Sequence, residues 1–482
     1  MMYRTDFIRS MIHAGWALLL TGLLASQFSC FVFTEQVREE PLSAVDLTID
    51  EEIAELPGLE IRALQDPVHG GQIRWLEAGH TQAGEPPLLL VHGLGSAGMR
   101  DFYPLLGELT KKHRVLLLDL PGFARSDKAN MVYTPSSYAA LLAQLIETQV
   151  QGPVDLLGHS LGGATAVELA GSRPQLVRRL VLLDVAVILH REALVASHMS
   201  QGMAGLSKIN KDLGHVIDSV ARTLLEPVRG LEPDLVQLLT SARSRKLVLS
   251  SDPMRIATLS FILHNFGPAL SRIEAPTLIL WGRQDTTAPL RTAHLLHSRI
   301  AKSKLIIMEG VKHEPQIEAP EAVLLELQNH LEKEELDLGL EKAPPAGLAS
   351  REARCDQQSD VVFEGGYRVI EIKNCERVFL NRVWANRILI ESSSVEMLDP
   401  TLVADPAVPG PALLVKDSDL IVTGGRLWGR PAMKLEHSNL DMAGTRLYAD
   451  QDPVWQSADS RALFSVTEMK TQNAVLHLHA EQ

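Results

Sequence analysis

The stretch Val154-Asp155-Leu156-Leu157-Gly158-His159-Ser160-Leu161-Gly162 decides how this chain is read. A short apolar run enters it, and a run with helical character, 163–171, leaves it. Strand, sharp turn and helix in that order put a serine at the centre of G-x-S-x-G, the pattern of a nucleophile elbow. The outer glycines are needed on steric grounds: in so tight a turn, a side chain two residues to either side of the serine would clash. The turn lifts the hydroxyl clear of the strand and sets it at a helix N-terminus, where partial positive charge favours an oxyanion. The competing reading is a glycine-flanked turn whose serine only caps the helix.

Working outward, continuous apolar runs recur at 87–91, 115–118, 154–157, 180–183, 277–281 and 304–308. Such runs are the signature of strands buried on both faces. Helix-length segments lie between most of them, at 99–112, 135–150 and 290–300. Alternating buried strands and helices predict an α/β domain, a mostly parallel sheet covered on both sides. Residues 72–77 alternate and read as a half-exposed early strand. One interval is too long for a crossover: about ninety residues separate Asp184 from Ala275. Its helical patterns at 188–199, 213–225 and 235–247 read as a lid inserted over the carboxyl edge of the sheet.

Three further strand ends carry chemistry. His92-Gly93-Leu94-Gly95 follows the first run and lets backbone approach a ligand, with the Leu94 and Leu161 N–H groups as the oxyanion-hole pair. His92 itself reads as a residue that holds this loop in shape, and Asp119 to Gly122 as a structural turn. Trp281-Gly282-Arg283-Gln284-Asp285 places an acid, and the loop after Met308 places His313. Asp184 is the rival acid, ranked lower because it opens the long insertion without a G-x-x-D turn. The catalytic set is therefore Ser160, Asp285 and His313, in the chain order serine, acid, histidine.

With these residues in place, 67–332 resembles the α/β-hydrolase superfamily, in its lid-bearing branch of serine esterases and lipases, with the lid at about 186–272. The resemblance implies a carboxylic-ester hydrolase acting through a Ser-His-Asp triad and an acyl-enzyme, with no cofactor and no metal. Serine at 160, where relatives that cleave halides or epoxides carry aspartate, speaks against those branches. Acyl transfer by the same triad is the alternative within the chemistry. A non-catalytic adhesion or scaffold protein is the alternative outside it.

Composition limits the partners. The chain has 482 residues and net charge -13, which disfavours nucleic acid. Arg4 and Arg9 precede an apolar stretch from 14 to 33, long enough to cross a bilayer, so 1–33 reads as a signal or membrane anchor and 34–66 as a linker. This predicts a cell-envelope protein held on the extracytoplasmic side of a membrane. A lipoprotein linked through Cys30 is the second choice. The expected substrate is a small-molecule or lipid ester, since lid and anchor both favour an apolar acyl group.

After a charged, proline-bearing linker at 333–360 the pattern changes again. Pro411-Ala412-Leu413-Leu414-Val415-Lys416-Asp417-Ser418 returns twenty positions later as Pro431-Ala432-Met433-Lys434-Leu435-Glu436-His437-Ser438. A period near 20 with short alternating strands gives 361–482 the look of a right-handed parallel β-helix, with a small β-sandwich as the alternative. This domain reads as a spacer or as a binding module for a polysaccharide or protein. Cys355 and Cys375 stand one period apart, a spacing that allows a disulfide between neighbouring coils and equally leaves two free thiols.

Overall fold

The computed structural model describes residues 45–80, 85–190, 192–194, 235–332, 351–405, 407–450 and 452–481. The expected anchor at 1–33 with Cys30, the helical pattern at 213–225, most of that at 188–199, and the proline-bearing part of the linker lie outside the described residues. Among the described residues no helix is long and apolar enough to cross a membrane.

The first sheet has eight strands: β1 (Glu60–Gln65), β2 (Gln72–Ala78), β3 (Leu88–Val91), β4 (Val115–Leu118), β5 (Val154–His159), β6 (Val177–Leu183), β7 (Thr277–Gly282) and β8 (Ser303–Met308). Their order is β1-β2-β4-β3-β5-β6-β7-β8. β1 and β2 enter antiparallel, and every pairing from β4 through β8 is parallel. The apolar runs fill both faces. Leu89 and Val91 enter one core, and Leu88 and Leu90 enter the core on the other side. Each such leucine contributes roughly 1.5–3 kcal/mol on burial.

Helices cover the sheet: α1 (Tyr103–Leu109), α2 (Pro135–Leu145) and α3 (Leu161–Ser172). α2 starts where its sequence dictates, with Thr134 and Ser137 closing a capping box and Pro135 at its first turn. Between β6 and β7 lie α4 (Leu235–Thr240), α5 (Ala242–Leu249), α6 (Pro253–Ile262) and α7 (Gly267–Leu270). The single helical pattern at 235–247 is thus two helices, divided at Ser241, whose side chain caps the second by accepting from the Ser244 N–H. α8 (Leu290–Arg299), α9 (Pro315–Glu318) and α10 (Pro320–Glu332) complete the layer.

Two expectations for the start of the fold need correction. The 34–66 linker ends too late, because Glu60–Gln65 is β1, paired along its length with β2. Ahead of it Ile53 is 1% exposed in a core, and Asp50 pairs with Arg125. β2 is also more buried than its alternation suggested: Arg74 is 1% exposed, its guanidinium donating to the Thr48 carbonyl. Arg74 faces segment 45–53, through Thr48 and Asp50, and a strand pattern cannot show that cover.

The remaining strands, β9 (Glu352–Asp356), β10 (Val362–Lys373), β11 (Val378–Glu391), β12 (Ser394–Leu398), β13 (Thr401–Val403), β14 (Leu413–Lys416), β15 (Asp419–Thr423), β16 (Arg426–Trp428), β17 (Met433–Glu436), β18 (Asn439–Ala443), β19 (Arg446–Tyr448), β20 (Val454–Gln456), β21 (Arg461–Lys470) and β22 (Val475–Glu481), form an all-β region. Its pairings are parallel except the last, β21 with β22. Leu413 lies beside Met433, and Leu420 beside Leu440, so neighbouring repeats stack in register. Parallel stacking of this kind is the pairing expected of the repeat reading, whereas common sandwiches pair antiparallel. The 333–360 linker also runs too long, since β9 pairs with β10 and Cys355 is bonded to Cys375 with Cα atoms 6.5 Å apart.

One corner is built by a row of serines. Ser393, Ser418 and Ser438 each give their hydroxyl to a carbonyl two residues back. Each also takes the N–H of the residue stacked before it, from Cys375, Ser393 and Ser418 in turn.

The all-β region packs directly on the first. Ala443, Leu463 and Val466 join the core that covers one face of the first sheet. Arg291 of α8 reaches across to both carboxylate oxygens of Asp441, at 2.6 and 2.9 Å, and to the Thr423 hydroxyl at 2.8 Å. Arg299, at the end of the same helix, pairs with Glu468 at 2.9 Å.

Candidate active site

β5 delivers Ser160 at φ 51°, ψ -118°, a conformation that leaves its hydroxyl standing above the start of α3. The flanking glycines are forced. A Cβ on Gly158 would sit 2.4 Å from the Gly162 carbonyl oxygen, and one on Gly162 would sit 2.2 Å from that of Val91. The serine N–H is tied to the Leu183 carbonyl at 2.9 Å, which fixes the turn against β6.

The loops after β7 and β8 bring the acid and histidine to this serine. His313 Nδ1–H donates to Asp285 Oδ2 at 2.7 Å, and Nε2 accepts from the Ser160 hydroxyl at 3.0 Å. The other Asp285 oxygen accepts from the Thr287 and Ala288 N–H groups. All three side chains are under 5% exposed. Burial alone would raise the Asp285 carboxyl, but the facing imidazole outweighs it and holds the carboxyl below its ordinary range. Burial alone would likewise lower His313; the Asp285 charge and hydrogen bond reverse that, and its net shift is upward. A hydroxyl on an imidazole whose far nitrogen is held by a carboxylate is the arrangement that activates serine for acyl attack.

Asp184 lies behind Asp285. Its Oδ1 accepts from the Gly282 N–H at 3.0 Å. Burial first, and then the Asp285 charge, push its carboxyl well above the usual carboxylate range. Among the described residues Asp184, Asp285 and His313 form the one cluster of metal-type donors, their ligand atoms within 4.8 Å of one another.

His92 does not reach the serine. Its Nε2 accepts from the Leu120 N–H at 2.9 Å, which leaves Nδ1–H to donate to the Gly93 carbonyl at 2.6 Å. It pins the 92–95 loop, as its position suggested. Asp119 also serves a turn, accepting from the Met99 N–H at 2.8 Å.

Two residues outside the sequence-read set also belong to the site. His159 Nε2 donates to the His313 carbonyl at 2.7 Å, holding the histidine loop on the elbow. Burial depresses its pKa to about 3, so it stays neutral. Asp101 accepts from the Gly93 N–H, and burial pushes it up to about 7. His159 fills a variable place of G-x-S-x-G and Asp101 a short helical turn, so no pattern marked either.

Beside Ser160 is a narrow cavity lined by Leu94, Leu161, Ala186, Val187, Leu194 and Phe261, with Thr258 and Thr287. Its described lining carries no charged side chain.

Residues 88–326 match the model of the Alpha/beta hydrolase family. The chain is 26% identical over 289 residues to an uncharacterised protein of Mycobacterium tuberculosis, covering 54% of this chain and 76% of that one. It is 27% identical over 271 residues to a 2-hydroxy-6-oxo-6-(2'-aminophenyl)hexa-2,4-dienoic acid hydrolase of Metapseudomonas resinovorans, covering 52% and 84%. Among solved structures, a membrane phospholipase A is similar at 24% identity and TM-score 0.43, over 68% of this chain and 98% of that one. With an eight-stranded, mostly parallel sheet beneath the elbow, residues 88–326 carry the α/β-hydrolase fold that the family match describes.

Proposed function

We propose that this chain is a serine hydrolase that cleaves a carboxylic ester of a lipid-like or other hydrophobic acyl group. The observation that carries the reading is the relay from Asp285 through His313 to Ser160 at the edge of an apolar cavity. His313 takes the proton as Ser160 attacks the acyl carbonyl, and Asp285 holds the tautomer and stabilises the imidazolium. The Leu94 and Leu161 N–H groups receive the oxyanion. Leu161 is the first residue of α3, so its N–H has no partner within the helix. Each donor of this kind is worth roughly 3 kcal/mol. His313 returns the proton to the leaving alcohol, and water then releases the acyl group from Ser160.

In this reading the 186–272 insertion is a lid over the acyl cavity, and the all-β region is a parallel β-helix. Residues 1–33 hold the protein at the extracytoplasmic face of a membrane, where an apolar ester is at hand. Acyl transfer to an alcohol is the alternative outcome of the same acyl-enzyme. Cleavage of a carboxylate-bearing substrate such as the dienoic acid in the Metapseudomonas resinovorans relative's name is less favoured, because no cation is among the described residues that line the cavity. Labelling of the purified protein by a fluorophosphonate, together with hydrolysis of p-nitrophenyl esters, tests the proposal. A folded protein that neither reacts with the probe nor turns over any ester would leave a scaffold role in its place.

A further inference from the structure

The cavity wall formed by Ala186, Val187 and Leu194 is conformationally strained. Val187 has φ 59° and Asp184 φ 39°. A β-branched residue at positive φ is a true outlier, and such strain persists only where surrounding structure imposes it. At one end the imposing contacts come from the sheet, where the Asp184 N–H meets the Leu280 carbonyl and its carboxyl meets the Gly282 N–H. At the other end they come from the all-β region. The His190 N–H donates to the Ser465 hydroxyl at 2.9 Å, Arg461 bonds Glu192, and the His190 ring stands edge-on to His479 at 5.2 Å.

The same region grips the other walls at their roots. α6 supplies Thr258 and Phe261 to the cavity, and just after it Asn265 donates to the His477 carbonyl at 3.1 Å. Thr287 lines the cavity just before α8, the helix that Arg291 fastens to Asp441. Ser465 and Val466 themselves lie where the β21–β22 register shifts, with Val466 at φ 52°. That bulge breaks the strand's alternation, sending Val466 into the hydrolase-side core while Phe464 stays in the core of its own region.

We propose that the C-terminal all-β region determines acyl specificity, with Ser465 and Arg461 as positioning residues that hold the wall of Ala186, Val187 and Leu194 through His190 and Glu192 and so set which acyl groups the cavity accepts. The inference rests on the reading of that cavity as the acyl site. Neither residue lines the cavity or touches Ser160, His313 or Asp285, so the effect passes through the wall.

The test uses the full chain carrying Ser465→Ala with Arg461→Ala, the conservative Ser465→Thr, and Arg377→Ala as a control at an exposed ion pair remote from the wall. Amide exchange over 186–194 is measured beside kcat and KM for acetyl, butyryl, octanoyl and dodecanoyl p-nitrophenyl esters. In the double variant exchange should rise about tenfold, the scale of losing one hydrogen bond and one exposed ion pair. The ratio of long- to short-chain kcat/KM should shift at least about fivefold, mainly through KM, with fluorophosphonate labelling within about twofold of wild type. Ser465→Thr, which keeps an acceptor, should leave exchange at the wild-type level, and Arg377→Ala should change nothing. Unchanged exchange over 186–194 overturns the proposal, and so does faster exchange with an unchanged acyl ratio. If the wild-type protein is inert to probe and esters alike, the hydrolase reading falls first, and the specificity claim falls with it while exchange still reports whether the wall is held.

Discussion

Both regions of this chain carry residues at positive φ, and they carry them differently. In the all-β region the conformation recurs at Asn374, Ser392, Asp417 and His437, each at φ between 49° and 51° and each just before a member of the Cys375–Ser393–Ser418–Ser438 row. Asn374, Ser392 and Asp417 send their N–H groups to Glu391, Lys416 and Glu436 in the next repeat. Short polar residues tolerate that region of backbone space, and one corner solved once is stacked again. In the hydrolase region Ser160, Asp184 and Val187 are each singular, and each borders the cavity or the relay. Ala124, Gln151, Ser250 and Ser251 share the conformation outside the cavity lining, so positive φ marks the site only where, as at Ser160 and Val187, it also borders the cavity.

The sharpest way to break that contrast is Ser160→Ala. Turnover should fall on the order of 10⁴-fold or more while the fold survives, since members of such a relay act as a unit. Near-normal ester hydrolysis by the folded variant would remove the elbow from the chemistry. Next comes the acid pair. Asp285→Asn should cost on the order of 10³-fold or more in kcat through the wrong imidazole tautomer, and Asp184→Asn far less, because an amide can still face Asp285 as a donor. The reverse order of losses would hand the acid role to Asp184.

A smaller effect comes from pH. Catalysis needs neutral His313, and its pKa is displaced upward, so the acidic limb of kcat/KM should have its midpoint above pH 6.5. Below the midpoint the rate should fall about tenfold per pH unit. A midpoint below the ordinary histidine value would mean that Asp285 is not ionised beside it. The smallest effect belongs to the repeated corner. Asp417→Gly should change stability by less than about 1 kcal/mol, because glycine adopts positive φ freely, and should leave kcat/KM untouched. A melting shift beyond a few degrees, or altered turnover, would show that the corner is more than a repeat.

Much of this was legible because it rests on local pattern. The buried runs gave β3 to β8, since a strand covered on both faces must be apolar throughout. Ser160, Asp285 and His313 were readable as strand-end residues in chain order, and the repeat from 411 to 438 announced its own stacking. What stayed hidden depends on contact between distant segments. β1 looked like linker because its cover and partner come from elsewhere, and β9 was masked by the charged run before it. His159 and Asp101 act through the His313 carbonyl and the Gly93 N–H, backbone groups with no sequence signature. The grip of Ser465 on His190 spans 275 positions and leaves no periodic trace.

That grip has a consequence in time. Chains are made from the N-terminus, and Ser160, Asp285 and His313 all precede the residues that hold the 186–194 wall. On the specificity proposal, a nascent chain possesses its reactive serine before Arg461 and Ser465 arrive, so the power to react is assembled earlier than the power to choose. Discrimination among acyl groups is then the last property this molecule acquires as it folds, and a chain interrupted near 460 would be the less selective for it.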